Sequence, residues 1–233
     1  MKIAAIGDIH LPGLKYYPRG YLDKILNEIR KEAPCILLLS GDLSNAYSLS
    51  RALHHLKMIE DLNVPVKIAV PGNHDKWYNK KTALLFRNPH KLIILDGTSF
   101  IVDNKVGIAG IMGWFDYSFS SSKLKITPPQ GDIMRVEREL KKLKSALYNI
   151  RNAKIKILVM HYSPTVNTVA DDPLVSKAGS SRFLDVILEN KVDYVFHGHA
   201  HNTKCTQYYK VNNTLIYNVT ANILDFRPLF IDV

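Results

Sequence analysis

Apolar residues in this chain cluster in short, dense runs, and amphipathic stretches separate them. The runs predict strands at Lys2–Gly7, Cys35–Ser40, Val66–Pro71, Leu92–Leu95, Ser99–Val102, Val106–Ile111, Ile155–His161, Tyr194–His197, Lys204–Lys210, Thr214–Val219 and Leu229–Val233. The stretches between them repeat apolar residues at helical spacing and predict helices at Gly20–Lys31, Leu49–Leu62, Lys80–Arg87, Gly131–Arg151 and Ser181–Glu189. The first half alternates strand and helix, which implies parallel strands joined by crossover helices. The middle and the C-terminal part read as hairpins, with tight turns at Asp103-Asn104-Lys105 and Val211-Asn212-Asn213. The order predicts an α/β fold: two packed, mostly mixed β-sheets, a β-sandwich flanked by helices. No repeat or linker divides the chain, so residues 1–233 are expected to form one domain.

The helix after Gly131 has the clearest pattern. Ile133, Val136, Leu140, Leu143, Leu147 and Ile150 make one apolar stripe, and the Lys and Arg residues fall mostly on the other side. The segment Lys123–Lys156 carries ten Lys and Arg against three Asp and Glu and supplies much of the net charge of +10. A solvated outer face is the favoured reading, with a docking surface for a polyanion as the alternative. A basic chain attracts phosphorylated metabolites, nucleic acid or an anionic membrane surface, and charge does not choose among them.

Composition narrows the class. With 46% hydrophobic and 22% charged residues the chain is an ordinary folded protein. No apolar run is long enough for a membrane span. Lys2-Ile3-Ala4-Ala5-Ile6 reads as a core strand and not as a secretion signal, so a cytoplasmic location is expected. Of the two cysteines, Cys35 opens an apolar run and is expected to be a buried thiol in a reducing compartment, and a Cys35–Cys205 bridge stays open.

Chemistry concentrates in five motifs, each at the end of a predicted strand. They are Gly7-Asp8-Ile9-His10, Gly41-Asp42-Leu43-Ser44-Asn45, Gly72-Asn73-His74-Asp75, His161 in Met160-His161-Tyr162, and Gly198-His199-Ala200-His201. Ligands of open α/β sheets gather at the carboxyl ends of strands, so five distant motifs can meet at one site. Asp8 and His10, and again His199 and His201, are spaced to point to one side of an extended segment. Asp8, His10, Asp42, Asn73, His161, His199 and His201 form a candidate metal-ligand set, with Asp42 as the carboxylate that could bridge two ions. Nitrogen and oxygen donors without thiolate suit Mn²⁺, Fe, Zn²⁺ or Co²⁺. Two divalent ions against two carboxylates leave surplus positive charge, which favours hydroxide and attracts phosphate. The glycines that open four of the motifs are expected to give the sharp turns and close backbone approach that such a site needs.

In order and spacing these motifs resemble the calcineurin-like metallophosphoesterase superfamily: Asp-x-His, Gly-Asp with a later Asp or Asn, Gly-Asn-His with Asp or Glu, His, then Gly-His-x-His. The likeness covers Gly7 to His201. It implies a two-sheet sandwich and two divalent metal ions, one held by Asp8, His10, Asp42 and His201 and the other by Asp42, Asn73, His161 and His199. It also implies that a two-metal-activated hydroxide attacks phosphorus and that His74 is the catalytic histidine, protonating the leaving oxygen. The family's protein phosphatases carry Gly-Asp-x-Val-Asp-Arg-Gly at the second motif, where the second Asp orients the catalytic histidine. This chain has Asn45 there and no Arg, which argues against a protein phosphatase. A phosphodiesterase or phosphatase acting on small phosphoesters or nucleotides is therefore the leading reading. A DNA or RNA nuclease and a non-catalytic metal-binding scaffold are the alternatives.

Several residues near the motifs have milder readings. His197 is either a support for a neighbouring ligand or structural. Asp75 is expected to cap the next helix rather than orient His74. His54, His55 and His90 lack spaced partners and read as non-catalytic. Trp77-Tyr78 and Trp114–Phe119 read as packing under a loop, with base stacking as the alternative. Asp171-Asp172-Pro173 reads as a turn.

Overall fold

The computed structural model describes residues 1–88, 91–120 and 126–233. Its strands are β1 (Lys2–Ile6), β2 (Ile36–Leu39), β3 (Val66–Ala69), β4 (Leu92–Ile94), β5 (Thr98–Val102), β6 (Val106–Ile111), β7 (Ile155–Met160), β8 (Tyr194–His197), β9 (Tyr208–Val211), β10 (Thr214–Asn218) and β11 (Leu229–Asp232). The α-helices are α1 (Tyr21–Glu32), α2 (Leu49–Glu60), α3 (Gln130–Asn149) and α4 (Arg182–Glu189). Every predicted strand is present. One sheet has the order β11-β1-β2-β3-β4 and the other β5-β6-β7-β8-β10-β9. Pairs β1–β11, β5–β6 and β9–β10 are antiparallel and the others parallel, so both sheets are mixed, as expected.

Alternation along the strands builds three layers of core. Ile3, Ile36, Leu38 and Ile68 face across the sandwich to Ile108, Ile157, Val159 and Phe196. The other face of the first sheet, with Ala4, Ile6, Leu37 and Leu39, packs on Ile25 and Ile29 of α1 and Leu56 of α2. The α3 stripe, Val136, Leu140, Leu143, Leu147 and Ile150, covers Ala109, Leu158 and Met160 of the second sheet. Strands covered on both faces must be apolar throughout, which is why β2 reads Ile-Leu-Leu-Leu.

The structure corrects four expectations. The Lys80–Arg87 segment forms a 3-10 turn at Thr82–Phe86 rather than an α-helix. There Asn79 Oδ1 accepts from the Lys81 and Thr82 N–H groups and tightens the entry. β9 begins at Tyr208 and not at Lys204, because Asn202 accepts from Lys204 and Cys205 and holds a turn there. Cys35 is exposed, since it precedes the buried part of β2; Cys205 is the buried thiol, and both are free. Ile133 at the start of the α3 stripe is half-buried. The turns at Asp103-Asn104 and Asn212 hold, with left-handed φ values of 50°, 54° and 52°. His90 and Lys123–Lys125 of the basic segment lie outside the described residues.

One charged residue on α3 is buried. Glu139, 4% exposed, accepts from the Gly113 N–H (3.0 Å) and from Lys142 Nζ (2.7 Å), and Lys142 also reaches Asp96 (2.7 Å). Burial pushes the Glu139 carboxyl up, opposed by Lys142. Replacing Glu139 with Ala strands the Gly113 donor and half of the Lys142 pairing, so a loss of about 2–4 kcal/mol is expected. Urea unfolding checks this by a lowered midpoint at unchanged slope; an unmoved midpoint would show that the network contributes nothing net.

Candidate active site

Parallel strands β1, β2 and β3 end in register at Ile6, Leu39 and Ala69, and the first three motifs leave the sheet from these ends. β7 and β8 bring His161 and Gly198–His201 to the same edge of the second sheet, and Gly198 N–H donates to the His161 carbonyl (3.1 Å). Beyond the strands the first two motifs keep pairing: His10 N–H donates to the Asp42 carbonyl (2.8 Å) and Leu11 N–H to that of Leu43 (2.9 Å). The C-terminal segment closes the other side, through Gly7 N–H to the Val219 carbonyl (2.8 Å).

The geometry brings all seven candidate ligands together. His201 Nε2 lies 3.3 Å from Asp8 Oδ1 and 3.4 Å from His10 Nε2. Asp42 Oδ2 stands between two groups of donors, 3.5 Å from His10 Nε2 and 3.6 Å from His161 Nε2. Asn73 Oδ1 lies 2.9 Å from His161 Nε2 and 3.0 Å from His199 Nδ1. Asp8, His10, Asp42 and His161 are buried, while His74 is exposed at the mouth of the cluster, its ring 5.0 Å from that of His10.

The glycines serve close approach more than turning. An added Cβ would lie 1.9 Å from Ser40 Oγ at Gly7, 2.1 Å from Asp42 Oδ1 at Gly72 and 2.2 Å from Asp8 Oδ2 at Gly198. Only Gly41 of the four has a left-handed φ, and the strained backbone sits on the functional residues: Asp8, His10, Asp42 and His199 have φ of 55°, 48°, 50° and 72°.

Tautomers show what the cluster is built to hold. His10 Nδ1 faces Asn45 Oδ1 (2.9 Å), and Asn45 Nδ2 donates to the His10 carbonyl, which fixes the amide's orientation. His161 Nδ1 faces the Ser40 carbonyl (2.9 Å), and His201 Nδ1 faces Asn222 Oδ1 (3.2 Å). His10 and His161 must therefore donate from Nδ1, so each turns an Nε2 lone pair inward, toward carboxylate and amide oxygens, while the His201 ring is drawn toward protonation by Asp8. Lone pairs facing lone pairs repel unless a cation lies among them. His199 is reversed: its Nδ1 points inward, and the Lys177 backbone bonds the ring.

Protonation agrees. Burial and the nearby Asp8 charge hold Asp42 well above the carboxylate range. Burial holds the His10 ring down to about 4 and that of His199 to about 3, neutral as ligation requires. Burial also lowers His74, reinforced by His161. Burial opposes the charge on Asp8, but the surrounding imidazoles, His201 first and then His161 and His10, together keep this carboxyl low; in return Asp8 raises His201 against its own burial. These donors fit divalent ions.

Two neighbours depart from expectation, and a third takes one of its two readings. Asp75 neither caps a helix nor orients His74: it accepts from the Leu43 (2.9 Å), Ser44 (2.9 Å) and Gly72 (2.8 Å) N–H groups and ties the second motif to the third. Asn45 supports His10, not His74. His197 is structural, fully buried, with Nε2 on Thr168 Oγ1 (2.7 Å). Sequence reasoning missed Asn222 and Tyr16, whose hydroxyl lies 3.2 Å from His201 Nδ1; the only signal for Asn222 was its place just past a strand end. Trp77 is buried in the core, and His54 and His55 lie on α2 away from the cluster, His55 on Ser44 Oγ.

A sequence profile described as calcineurin-like phosphoesterase matches residues 1–203. The chain belongs to the calcineurin-like phosphoesterase family. This phosphoesterase is a hydrolase of phosphoester bonds, its family works with a pair of metal ions, and its Asp and His groups can hold such ions. It is 26% identical over 239 residues to a probable cyclic nucleotide phosphodiesterase of Pseudoalteromonas sp. (strain SM9913), across 97% of this chain and 80% of that one. A second relative bearing that name, from Synechococcus sp., is 26% identical across 86% of this chain and 73% of its own. Among solved structures, phosphopantetheinyl hydrolase of Mycobacterium tuberculosis shares the fold with a TM-score of 0.69 at 14% identity, covering 94% of this chain and 88% of that one. A protein of Thermus thermophilus does so at 0.59 and 17%, covering 93% and 88%.

Metal uptake must displace protons from groups held above their ordinary range, here Asp42 and His201. Adding Mn²⁺ to chelated phosphoesterase near neutral pH should release protons, and affinity should rise with pH. Titration calorimetry in buffers of different ionisation enthalpy measures the release; zero release would show that both groups are already deprotonated.

Proposed function

We propose that this phosphoesterase hydrolyses small phosphodiesters, cyclic nucleotides foremost, with two divalent ions bound at the strand ends. The observation that carries this reading is Asp42, whose Oδ2 stands 3.5 Å from His10 Nε2 and 3.6 Å from His161 Nε2, one donor of each proposed set. Asp8, His10, Asp42 and His201 would hold one ion, and Asp42, Asn73, His161 and His199 the other. When bound, the ions supply Lewis acidity, which neutralises phosphate charge and acidifies water. Nitrogen and oxygen donors without thiolate favour Mn²⁺, Fe or Zn²⁺.

The chain's own residues do the rest. Asn45, the Ser40 carbonyl and Asn222 hold three imidazoles with Nε2 inward. Asp42 Oδ1 accepts from the His74 N–H (2.7 Å), so one carboxylate both faces the donors and fixes the backbone of the acid-base residue. His74 would give its proton to the leaving oxygen. Its ring is neutral before substrate arrives, and a phosphate anion beside it raises its proton affinity.

A cavity of about 690 Å³, lined by Asn73, His74 and His201 together with Asp172, Pro173 and Leu174, would receive the substrate. Its volume suits a ligand of nucleotide size. The two relatives named above support cyclic nucleotides as the class. Residues 1–233 are read as one catalytic domain, since both sheets share the central core. Free Cys35 and Cys205 favour a reducing, cytoplasmic setting, and no helix among the described residues is long and apolar enough to cross a membrane.

Metal-stripped protein should regain cleavage of bis-p-nitrophenyl phosphate and of 3′,5′-cyclic AMP on addition of Mn²⁺. Faster turnover of p-nitrophenyl phosphate than of the diester would move the assignment to a monoesterase. His74→Ala should cost roughly 10²–10⁴-fold on cyclic AMP, whose leaving alkoxide needs a proton, and far less on the nitrophenyl diester. Equal losses on both would remove His74 from the acid role.

A further inference from the structure

A second cavity, of about 900 Å³, lies between the segment that follows the third motif, strands β4 and β5, and the first turns of α3. Its floor is apolar and partly aromatic, with Phe86, Leu95 and Phe100. Its polar lining is cationic. Lys80, Arg87, Arg135, Arg138 and Lys142 stand against two carboxylates, Asp96 and Glu139, and Lys142 engages both of those at 2.7 Å. Among the described residues no carboxylate lies within ion-pair distance of the other four cations.

Arg135 is held in place. Its guanidinium carbon lies 3.4 Å from the Trp114 ring centroid, and Nη2 is 3.5 Å from Met112 Sδ. The nearby Asp132 is occupied by Trp114 Nε1 (2.8 Å) and the Tyr117 hydroxyl (3.4 Å). A half-buried guanidinium fixed by stacking and left without a counter-ion is pre-organised for an anion, because little side-chain entropy is lost on binding. Tyr78 adds a hydroxyl with no hydrogen-bond partner among the described residues.

We propose that this cavity is a second binding site, distinct from the metal centre, for a small phosphorylated molecule that carries a flat apolar group. The phosphate meets Arg135 and Arg138, and the flat group lies on Phe100 and the Tyr78 ring. The two cavities adjoin along the chain: Pro71, Tyr78 and Asn79 line this one, while Asn73 and His74 line the active one.

Adenosine 5′-monophosphate is the probe, titrated by calorimetry into the full Mn²⁺-equilibrated chain and into Asp42→Asn, Arg135→Gln and Arg138→Gln. Binding should persist in Asp42→Asn and weaken roughly 10–100-fold in each arginine variant, the loss of one charge-assisted hydrogen bond. Arg138 is exposed, so its replacement leaves folding intact even if Arg135→Gln disturbs Trp114. Loss of binding in Asp42→Asn with retention in both arginine variants would place the nucleotide at the metal centre alone and overturn the proposal, as would no binding at all. In Asp42→Asn, inorganic phosphate should bind much more weakly than the nucleotide; equal affinity there would overturn the role given to the apolar floor.

Discussion

Two carboxylates buried side by side, with imidazole lone pairs aimed at them, set the terms for everything else at the strand ends. Asp8 and Asp42 are almost fully buried, and burial beside the Asp8 charge opposes ionisation of Asp42. His10 and His161 turn their Nε2 atoms to 3.5 and 3.6 Å from Asp42 Oδ2, with Nδ1 of each committed to an oxygen. Such an arrangement is repulsive alone and favourable around divalent cations, so folding stores a binding site at the expense of local stability.

The sandwich exists in this form because that cluster must be assembled from both sheets. β1, β2 and β3 deliver the carboxylates and Asn73; β7 and β8 deliver His161, His199 and His201. The two edges can close because side chains are missing where they meet. A methyl group at Gly198 would occupy the space of an Asp8 oxygen, and one at Gly41 would lie 2.7 Å from His161 Nδ1. Asp75 then fastens the second and third motifs with three backbone hydrogen bonds, and the Gly7–Val219 bond fastens the first to the C-terminal segment.

Strand positions and the convergence of the five motifs were legible in the sequence because both follow local rules: apolar runs covered on two faces, and short polar motifs at their ends. What escaped depends on contacts between distant segments. Asp75 looked like a helix cap because its true partners, at Leu43 and Ser44, come from another loop. Asn45 serves His10 rather than His74, which spacing alone does not reveal. Glu139 fell within a charged helix, and its burial follows from Gly113 and Lys142 meeting it across α3 and β6. Cys35 shared an apolar run with β2 but sits before the buried part of the strand. The cationic cavity beside α3 gave no motif, since its walls come from four separate segments.

The shared carboxylate is the claim on which the proposed chemistry rests, and it can be seen directly. Crystals grown with Mn²⁺ should give two anomalous difference peaks, one among Asp8, His10, Asp42 and His201 and the other among Asp42, Asn73, His161 and His199, with Asp42 oxygens contacting both. A single peak, or two peaks with Asp42 bound to neither or only one, would contradict a binuclear centre bridged by that residue.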